Sequence, residues 1–246
     1  MDNLIVKIAE NDAEIESAQR LRYEVFNLEC GRGLAASGYS GLDRDEYDSL
    51  CHHLIVFDCA AGMVVGPYRF LLRSRLRDGE VFYAEHEFDL VAIRKLKGEI
   101  LEISRSCVHR DYRRGDTLYM LWEGLAGYLI RHHVDYLIGC PSIEQIDPQQ
   151  VGEIYALLMR DYGAAEEFRV APLPVNRIPG LTAKFPPREQ ERKMIRALPP
   201  LIRGYLHAGM RVCGEPAWDP KFGTVDFFCM LPLARIPQSY VSHYRP

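Results

Sequence analysis

The chain has 246 residues, of which 48% are apolar and 26% charged, and its net charge is −4. These values are typical of a soluble globular protein, and they exclude both a disordered chain and a protein that an overall positive field draws to nucleic acid. The sequence contains no run of about 18 apolar residues, so we expect no membrane-spanning helix. The N-terminus lacks the features of a signal peptide.

The seven cysteines include no CxxC pair, which favours reduced thiols over a disulfide framework or a zinc site. We therefore expect a cytoplasmic protein without a metal. Arginine outnumbers lysine by 24 to 6. Because the arginine fork binds phosphate and carboxylate groups well, this bias hints at acidic ligands or partners, although it also arises without any binding role.

The first predicted elements are a strand over residues 4–8 and a helix whose N-terminal cap is Asn11 or Asp12. Arg22 and Phe26 lie one turn apart on this helix and so share a face. A glycine-rich loop over 29–45 follows and runs into an acidic stretch that contains Asp45 and Asp48.

Two further strands, over 53–58 and 63–72, are predicted to form a hairpin. Pro67 interrupts the second strand, which indicates an edge position or a bulge, and Arg69 follows it.

The central stretch is a predicted strand from Leu101 that leads into a basic, glycine-containing turn and then a helix over 118–130. Alternation places Glu102 and Ser104 on one face, whereas Arg105 would face the apolar side unless a bulge near Ser104 turned it. A glutamate beside arginines can stay ionised and accept a proton from an amine, and a backbone N–H at a bulge can bind an oxyanion. An edge strand with one polar face explains the same pattern.

The C-terminal part is predicted to contain a strand over 134–140 and helices over 150–160, 188–198 and 201–208. Strands over 212–215 and 225–232 follow. Seven of the 15 prolines lie between residues 171 and 200. Since the last strands need a sheet to join, we predict one domain over 1–246 with a proline-rich elaboration at about 171–200.

Four motifs follow one another along the first half of the chain: Arg22-Tyr-x-Val-Phe26, Asp45-x-x-Asp48, Arg69 after a strand, and Glu102-x-Ser104-Arg105 with Val108. Their order and spacing resemble those of acyl-homoserine-lactone synthases. Further motifs are Phe82-Tyr-x-Glu85-x-Glu87-Phe-Asp89-Leu, Leu121-Trp122-x-Gly124-Leu and Val212-Cys-Gly-Glu215-Pro-Ala-x-Asp219. These resemble the ornithine N-acyltransferases of ornithine-lipid synthesis and their relatives termed haemolysin-like.

This resemblance implies the GCN5-related N-acyltransferase fold, an α/β (α+β) architecture with a twisted mixed β-sheet flanked by helices. It implies Glu102 as the general base, with Ser104 and Arg105 beside it in the catalytic motif. It further implies that the substrate site is held by Arg22, Phe26, Asp45, Asp48 and Arg69. Glu215 is a candidate contact for the amine acceptor.

The chain departs from the superfamily in the turn that grips the diphosphate of coenzyme A. Tyr112-Arg-Arg-Gly115-Asp-Thr117 keeps only the central glycine of the usual pattern. That departure suits acyl carrier protein, whose arm carries one phosphate and whose surface is acidic. Arg110, Arg113, Arg114 and Gly115 are therefore the candidate contacts for the carrier and its phosphopantetheine, although a solvated arginine cluster explains them as well.

The function expected from this resemblance is transfer of a fatty acyl chain, in particular a 3-hydroxy acyl chain, from acyl carrier protein to the α-amine of ornithine or a related amino compound. The expected partners are acyl carrier protein and a small amine, with peripheral membrane contact at the inner face of the membrane and without nucleic acid. We expect an acyl-phosphopantetheine donor rather than a bound cofactor. The alternatives are an acyl-homoserine-lactone-type or other N-acyl amino acid synthase, a coenzyme A-dependent acetyltransferase, and a non-enzymatic acyl-binding, membrane-active protein.

Overall fold

The computed structural model describes residues 3–113, 116–144 and 147–235. Its strands are β1 (Leu4–Ile8), β2 (His52–Asp58), β3 (Met63–Leu72), β4 (Phe88–Asp89), β5 (Glu99–Ser104), β6 (Val134–Gly139), β7 (Ser142–Ile143), β8 (Ala171–Pro172), β9 (Arg211–Val212), β10 (Ala217–Asp219), β11 (Thr224–Asp226) and β12 (Cys229–Pro232). Its α-helices are α1 (Asp12–Tyr23), α2 (Ser37–Ser40), α3 (Val91–Arg94), α4 (Thr117–Arg131), α5 (Pro148–Tyr162), α6 (Arg188–Ala197) and α7 (Pro200–His207).

The described chain divides into two compact units. The first unit contains residues 3–80 and 99–134 of the described chain, and the second contains residues 81–98 and 135–235. The prediction that residues 1–246 form one domain concerns both units together, and it stays a prediction. Among the described residues, no helix has both the length and the apolar character needed to cross a membrane.

The first unit is built on four antiparallel strands in the order β1-β2-β3-β5. Strand β3 lies between β2 and β5, so Pro67 is not at an edge. The ladder between β2 and β3 instead shifts its register between Val56 and Phe57, which face Gly66 and Val64 and leave Val65 without an opposite residue. The bulge expected near Pro67 is therefore confirmed two residues away.

Helices α1 and α4 lie on opposite faces of this four-stranded sheet. Ile55 of β2 packs with Ala18 and Leu21 of α1 in one buried cluster. The preceding residue, Leu54, faces α4, where a Cβ added to Gly124 would lie 2.8 Å from a leucine methyl carbon. Because neighbouring residues in a strand point to opposite faces, the helices cover both sides of the sheet.

Helix α1 begins and ends with recognisable local structure. Asn11 caps its N-terminus, where the side-chain oxygen accepts a hydrogen bond from the Glu14 N–H at 3.0 Å, as predicted. After Tyr23 the backbone continues as a π-helical turn over Glu24–Glu29, in which the Cys30 N–H bonds to the Val25 carbonyl at 3.0 Å. Such wider turns are frequent at functional sites, and Phe26 lies within this one.

The second unit contains three antiparallel groups of strands: β6-β12-β9, β10-β11-β7 and β4-β8. Parallel bridges also occur, between Gly163 and Val212 and between Val170 and Gly214. Buried aromatic rings of Phe88 and Phe228 pack with their centres 5.8 Å apart. Antiparallel ladders, parallel bridges and flanking helices together confirm the predicted mixed α/β class.

Candidate active site

Alternating arginines and aspartates form a closed ionic ring in the first unit. Each guanidinium contacts two carboxylates and each carboxylate contacts two guanidinium groups. In order around the ring the members are Arg22, Asp43, Arg105, Asp45, Arg69 and Asp48, and the nitrogen–oxygen distances run from 2.5 to 3.5 Å. Its three positive and three negative charges balance, which is the condition under which buried charges can be retained.

The ring is assembled from four separate parts of the chain. Helix α1 supplies Arg22 and strand β3 supplies Arg69, both of which are almost completely buried. The loop before β2 supplies the three aspartates. Within that loop the Asp45 side chain accepts the Tyr47 N–H at 3.0 Å, and the Asp48 side chain accepts the Asp45 N–H at 2.9 Å. This reciprocal cap fixes both carboxylates through hydrogen bonds within the loop itself.

Asp43 is the ring member that the sequence analysis missed. Its side chain is fully buried and lies 2.9 Å from Arg22 Nε and 3.5 Å from Arg105 Nε. Arg22 also donates to the Asp43 backbone carbonyl. The sequence feature that points to Asp43 is its place in the acidic run that contains Asp45 and Asp48. Spacing alone does not show which acidic side chains of such a run are buried.

Strand register places the predicted catalytic residues on the face of the sheet that carries the ring. Arg69 of β3 is paired with His53 of β2 on one side and with Ser104 of β5 on the other. Glu102 lies two residues before Ser104, and since the side-chain period of a strand is two, it shares that face. The prediction that Glu102 and Ser104 point the same way is borne out by this register.

Ser104 is half-buried and Glu102 is buried. The Ser104 hydroxyl oxygen accepts a hydrogen bond from Arg69 Nε at 3.1 Å, which leaves the hydroxyl proton to donate to another acceptor. Glu102 is only 3% exposed. Burial raises the pKa of the neighbouring Cys51 thiol to about 12, and the carboxylate of Glu102 is among the charges that contribute to this rise.

Arg105 reaches the ring by a route that differs from the expected bulge. Strand β5 ends at Ser104, and its ladder with β3 runs without a register shift from Leu101 to Ser104. Arg105 instead adopts a left-handed backbone conformation with φ of 55°. This turn directs its side chain to Asp45, with Nη2 3.1 Å from the carboxylate. A left-handed non-glycine residue is uncommon and costs energy, which the two ion pairs offset.

Two further side chains support the ring from outside. The His53 ring nitrogen Nε2 lies 3.0 Å from the Asp48 carbonyl, so this nitrogen carries the proton and donates. Burial lowers the pKa of His53, which favours the neutral ring. The Tyr47 ring lies 5.8 Å from the Arg69 guanidinium carbon. His53 is thus a hydrogen-bonded support of the ring.

The other predicted site residues are not members of the ring. Phe26 is half-buried and packs on the apolar cluster beside α1. Arg110 and Arg113 are exposed, and both approach Glu29, at 3.7 and 2.6 Å. Glu215 is exposed in the second unit, between β9 and β10. The substrate, carrier and acceptor roles of these residues stay predictions, and Arg114 and Gly115 lie outside the described residues.

A separate group of buried carboxylates lies in the second unit. Oxygen atoms of Glu87, Asp219 and Asp226 lie within 4.8 Å of one another. The Thr224 hydroxyl donates to Asp226 at 2.8 Å, and the Lys221 N–H donates to Asp219 at 2.7 Å. Hydrogen bonds within the β10–β11 hairpin therefore account for part of this group, and the expected absence of a metal stays a prediction.

The sequence and the fold are similar to those of known acyltransferases. Residues 21–123 match the family described as "Acetyltransferase (GNAT) domain". The L-ornithine N(alpha)-acyltransferase of Brucella abortus is 31% identical over 250 residues, covering 98% of this chain and 89% of that protein. The protein of the same name from Rhodobacter capsulatus is 32% identical, covering 97% of this chain and 93% of that protein.

Solved structures show the same fold at lower identity. BjaI, a CoA-dependent acyl-homoserine lactone synthase solved with SAM and isopentyl-CoA, has a TM-score of 0.55 and 15% identity, over 98% of this chain and 87% of that one. FeeM, an N-acyl amino acid synthase from uncultured soil microbes, has a TM-score of 0.50 and 12% identity, over 94% and 92%. Together with the nearly full-length sequence identity, these findings show that the chain is an N-acyltransferase and belongs to the L-ornithine N(alpha)-acyltransferase family of the GNAT fold.

Proposed function

We propose that the chain transfers a fatty acyl group, in particular a 3-hydroxy acyl group, from acyl carrier protein to the α-amine of ornithine. The observation that carries the proposal is the position of Glu102, a buried carboxyl group on the sheet face that also holds Ser104 and the ionic ring. Relatives named for ornithine N(α)-acylation support the acceptor.

The proposed reaction needs one proton acceptor and one hydrogen-bond donor. The amine nitrogen attacks the thioester carbonyl, so that the N–C bond forms and the C–S bond breaks. Glu102 accepts the proton that the amine loses, directly or through water, and the phosphopantetheine sulfur leaves as a thiolate that takes up a proton. The Ser104 hydroxyl, held by Arg69, is oriented to donate to the developing oxyanion or to the leaving sulfur.

Direct transfer without an acyl-enzyme is supported by the state of the nearby thiols. Burial raises the pKa of Cys51 to about 12, and it also raises the pKa of Cys107. A thiolate is the nucleophilic form of cysteine, so the raised pKa disfavours both thiols as nucleophiles at neutral pH. The amine itself is therefore the proposed nucleophile, which places the demand for catalysis on the proton acceptor.

The choice of acyl carrier protein as donor rests on charge and on the altered turn. Arg110 and Arg113 are exposed next to a turn that lacks most of the usual coenzyme A pattern. Their shared partner, Glu29, is a surface contact that an acidic carrier can replace. Coenzyme A is the competing donor, because BjaI has the same fold and is named as CoA-dependent. The predicted cytoplasmic location belongs to the same proposal.

The experiment supplies two donors and a mixture of acceptors. The full chain is incubated with 3-hydroxyacyl carrier protein, or with the matching acyl-coenzyme A, and with pooled amino acids, and the products are identified by mass spectrometry. We expect an Nα-acyl ornithine from the carrier protein and little product from coenzyme A. An acyl-homoserine lactone in a parallel reaction with S-adenosylmethionine, or product from the acyl-coenzyme A alone, would contradict the proposal.

A further inference from the structure

Positive charge is concentrated in one exposed stretch of this otherwise acidic chain. Residues 177–203 contain seven arginines and lysines and two glutamates, whereas the whole chain carries a net charge of −4. Helix α6 lies in the middle of this stretch. Its exposed side chains Arg188, Arg192, Lys193 and Arg196 are called the basic face here.

The opposite side of α6 is the one that packs on the protein. Met194, Ile195 and Leu198 are half-buried or buried, and together with Glu191 they follow the spacing of one helix face. Glu191 forms an ion pair with Arg160 of α5, in which Arg160 Nη2 lies 3.0 Å from Glu191 Oε2. The apolar stripe of Met194, Ile195 and Leu198 therefore packs against the protein, and the basic face is exposed to solvent.

No arginine or lysine of the basic face forms an ion pair within the described part of the chain, and the exposed Glu189 is the one acidic side chain of α6 that lies among them. No carboxylate of the described residues lies within 4.0 Å of its side-chain nitrogens. Arg188, Arg192 and Arg196 recur at every fourth residue and so form one stripe about 12 Å long. A row of like charges on one helix opposes its own stability, and an extended negative surface would remove that cost.

Phe185 adds an exposed aromatic ring at the N-terminal end of the basic face. It is 53% exposed, follows Lys184 and lies with its ring 5.4 Å from the Arg160 guanidinium carbon. A half-exposed aromatic ring beside basic side chains is the combination found at membrane–water interfaces, where the ring enters the headgroup layer.

We propose that the basic face of α6, with Phe185, binds the surface of an anionic phospholipid bilayer. The choice of a lipid surface rests in part on the proposed function, since a product with a fatty acyl chain must pass into a bilayer. Because the apolar stripe of α6 faces the protein, the contact is mainly electrostatic, and it is expected to be weak, reversible and sensitive to salt.

The test measures vesicle binding of the full chain without any substrate. Vesicles of phosphatidylcholine, with or without about 30% phosphatidylglycerol, are sedimented with the protein at roughly 50 mM and 500 mM salt. We expect binding only to the anionic vesicles and only at low salt. Each basic residue near such a surface contributes about fivefold to the partition coefficient, so Arg192→Glu with Lys193→Glu is expected to reduce it by at least ~25-fold.

The matched control is Lys95→Glu with Lys97→Glu, which makes the same charge change at two exposed lysines outside the basic face. We expect this control to bind anionic vesicles like the unaltered chain. Equal loss in both double variants, or no binding to anionic vesicles at low salt, would overturn the proposal. So would a basic-face variant that binds vesicles normally but needs much more acyl carrier protein for turnover, because the face would then serve the carrier. Vesicle binding does not depend on turnover, so failure here is distinct from failure of the proposed function.

Discussion

At the scale of single residues, the ionic ring fixes the positions of its members, whose catalytic and substrate-binding roles stay predictions. Arg22, Arg69 and Asp43 are almost completely buried, and every charge in the ring has two opposite neighbours. Removing one partner of a buried ion pair typically costs about 3–5 kcal/mol, because the other charge is left uncompensated. The ring therefore holds Arg69 in one position, and Arg69 in turn orients Ser104.

The ring predicts a particular dependence of stability on pH. Burial by itself raises the pKa of Asp45, but Arg69 and Arg105 outweigh this and lower that pKa to about 2, from an ordinary value of 3.8. The folded state thus favours the ionised form, and this contribution of about 2 kcal/mol is complete above the unfolded pKa and is lost as the pH falls towards 2.

We predict that Asp45→Asn destabilises the protein most at neutral pH. The difference in free energy of unfolding between the unaltered chain and the variant should shrink as the pH is lowered from about 5 to about 2.5. Urea unfolding at a series of pH values measures this difference. Asp78→Asn, at an exposed position, is the control and should show no such change. A difference for Asp45→Asn that stays constant over this range would contradict the account.

At the scale of elements, the end of β5 and the packing of α4 shape the first unit. Strand β5 stops at Ser104 because Arg105 adopts a left-handed conformation. The chain then returns to β3, where the Cys107 and His109 N–H groups donate to the Pro67 and Val65 carbonyls. The same local departure from strand geometry thus places Arg105 in the ring and satisfies the carbonyls of the bulged strand.

Helix α4 approaches the sheet closely through glycine. A Cβ added to Gly124 would lie 2.7 Å from a Val6 methyl carbon and 2.8 Å from a Leu54 methyl carbon, whereas a Cβ added to Gly127 would meet nothing within 4 Å. Alanine in a helix is favoured over glycine by up to about 1 kcal/mol. At position 124 this gain is opposed by overpacking, which costs about 1–3 kcal/mol.

We predict opposite effects for two alanine substitutions in this helix. Gly127→Ala should raise the free energy of unfolding by about 0.5–1 kcal/mol, while Gly124→Ala should lower it by about 1 kcal/mol. Chemical denaturation of both variants gives the comparison, because they differ in whether the added methyl group meets the sheet. Stabilisation by both substitutions would show that α4 does not pack against β1 and β2 as closely as described.

The sequence predicted these elements well and their contacts less well. Strand β3 and helix α6 have nearly their expected bounds, because periodicity and proline or glycine boundaries are local signals. The conformation of Arg105 was not predicted, since its energy is offset by contacts with residues about 60 positions away. The single strand expected at 225–232 is in fact β11 and β12, and continuous apolar character does not reveal such a break.

At the scale of the whole molecule, family membership and local chemistry support the same activity. Sequence identity of 31–32% to L-ornithine N(alpha)-acyltransferases, over nearly the full length of the chain, identifies it as an N-acyltransferase. Resemblance of short motifs was enough to select five of the six ring members as candidate site residues, although it did not predict the ring itself. It did not identify Asp43, because the contacts of Asp43 with Arg22 and Arg105 depend on the folded structure and not on motif spacing. The second unit carries the basic face of α6, for which membrane binding is proposed. It also carries the exposed Glu215, which is predicted to contact the amine acceptor.

The central claim is that Glu102 accepts the amine proton during acyl transfer, and replacing that carboxylate tests it most directly. Glu102→Gln keeps the size of the side chain, and Glu99→Gln makes the same change on the same strand at a residue whose oxygen accepts the Ser74 N–H. Single-turnover rates with 3-hydroxyacyl carrier protein and ornithine are measured for both variants, with their melting temperatures. We predict that Glu102→Gln slows acyl transfer by roughly 10²–10⁴-fold in a folded protein, while Glu99→Gln changes it little. An unchanged rate in folded Glu102→Gln, or an equal loss in both variants, would contradict the account.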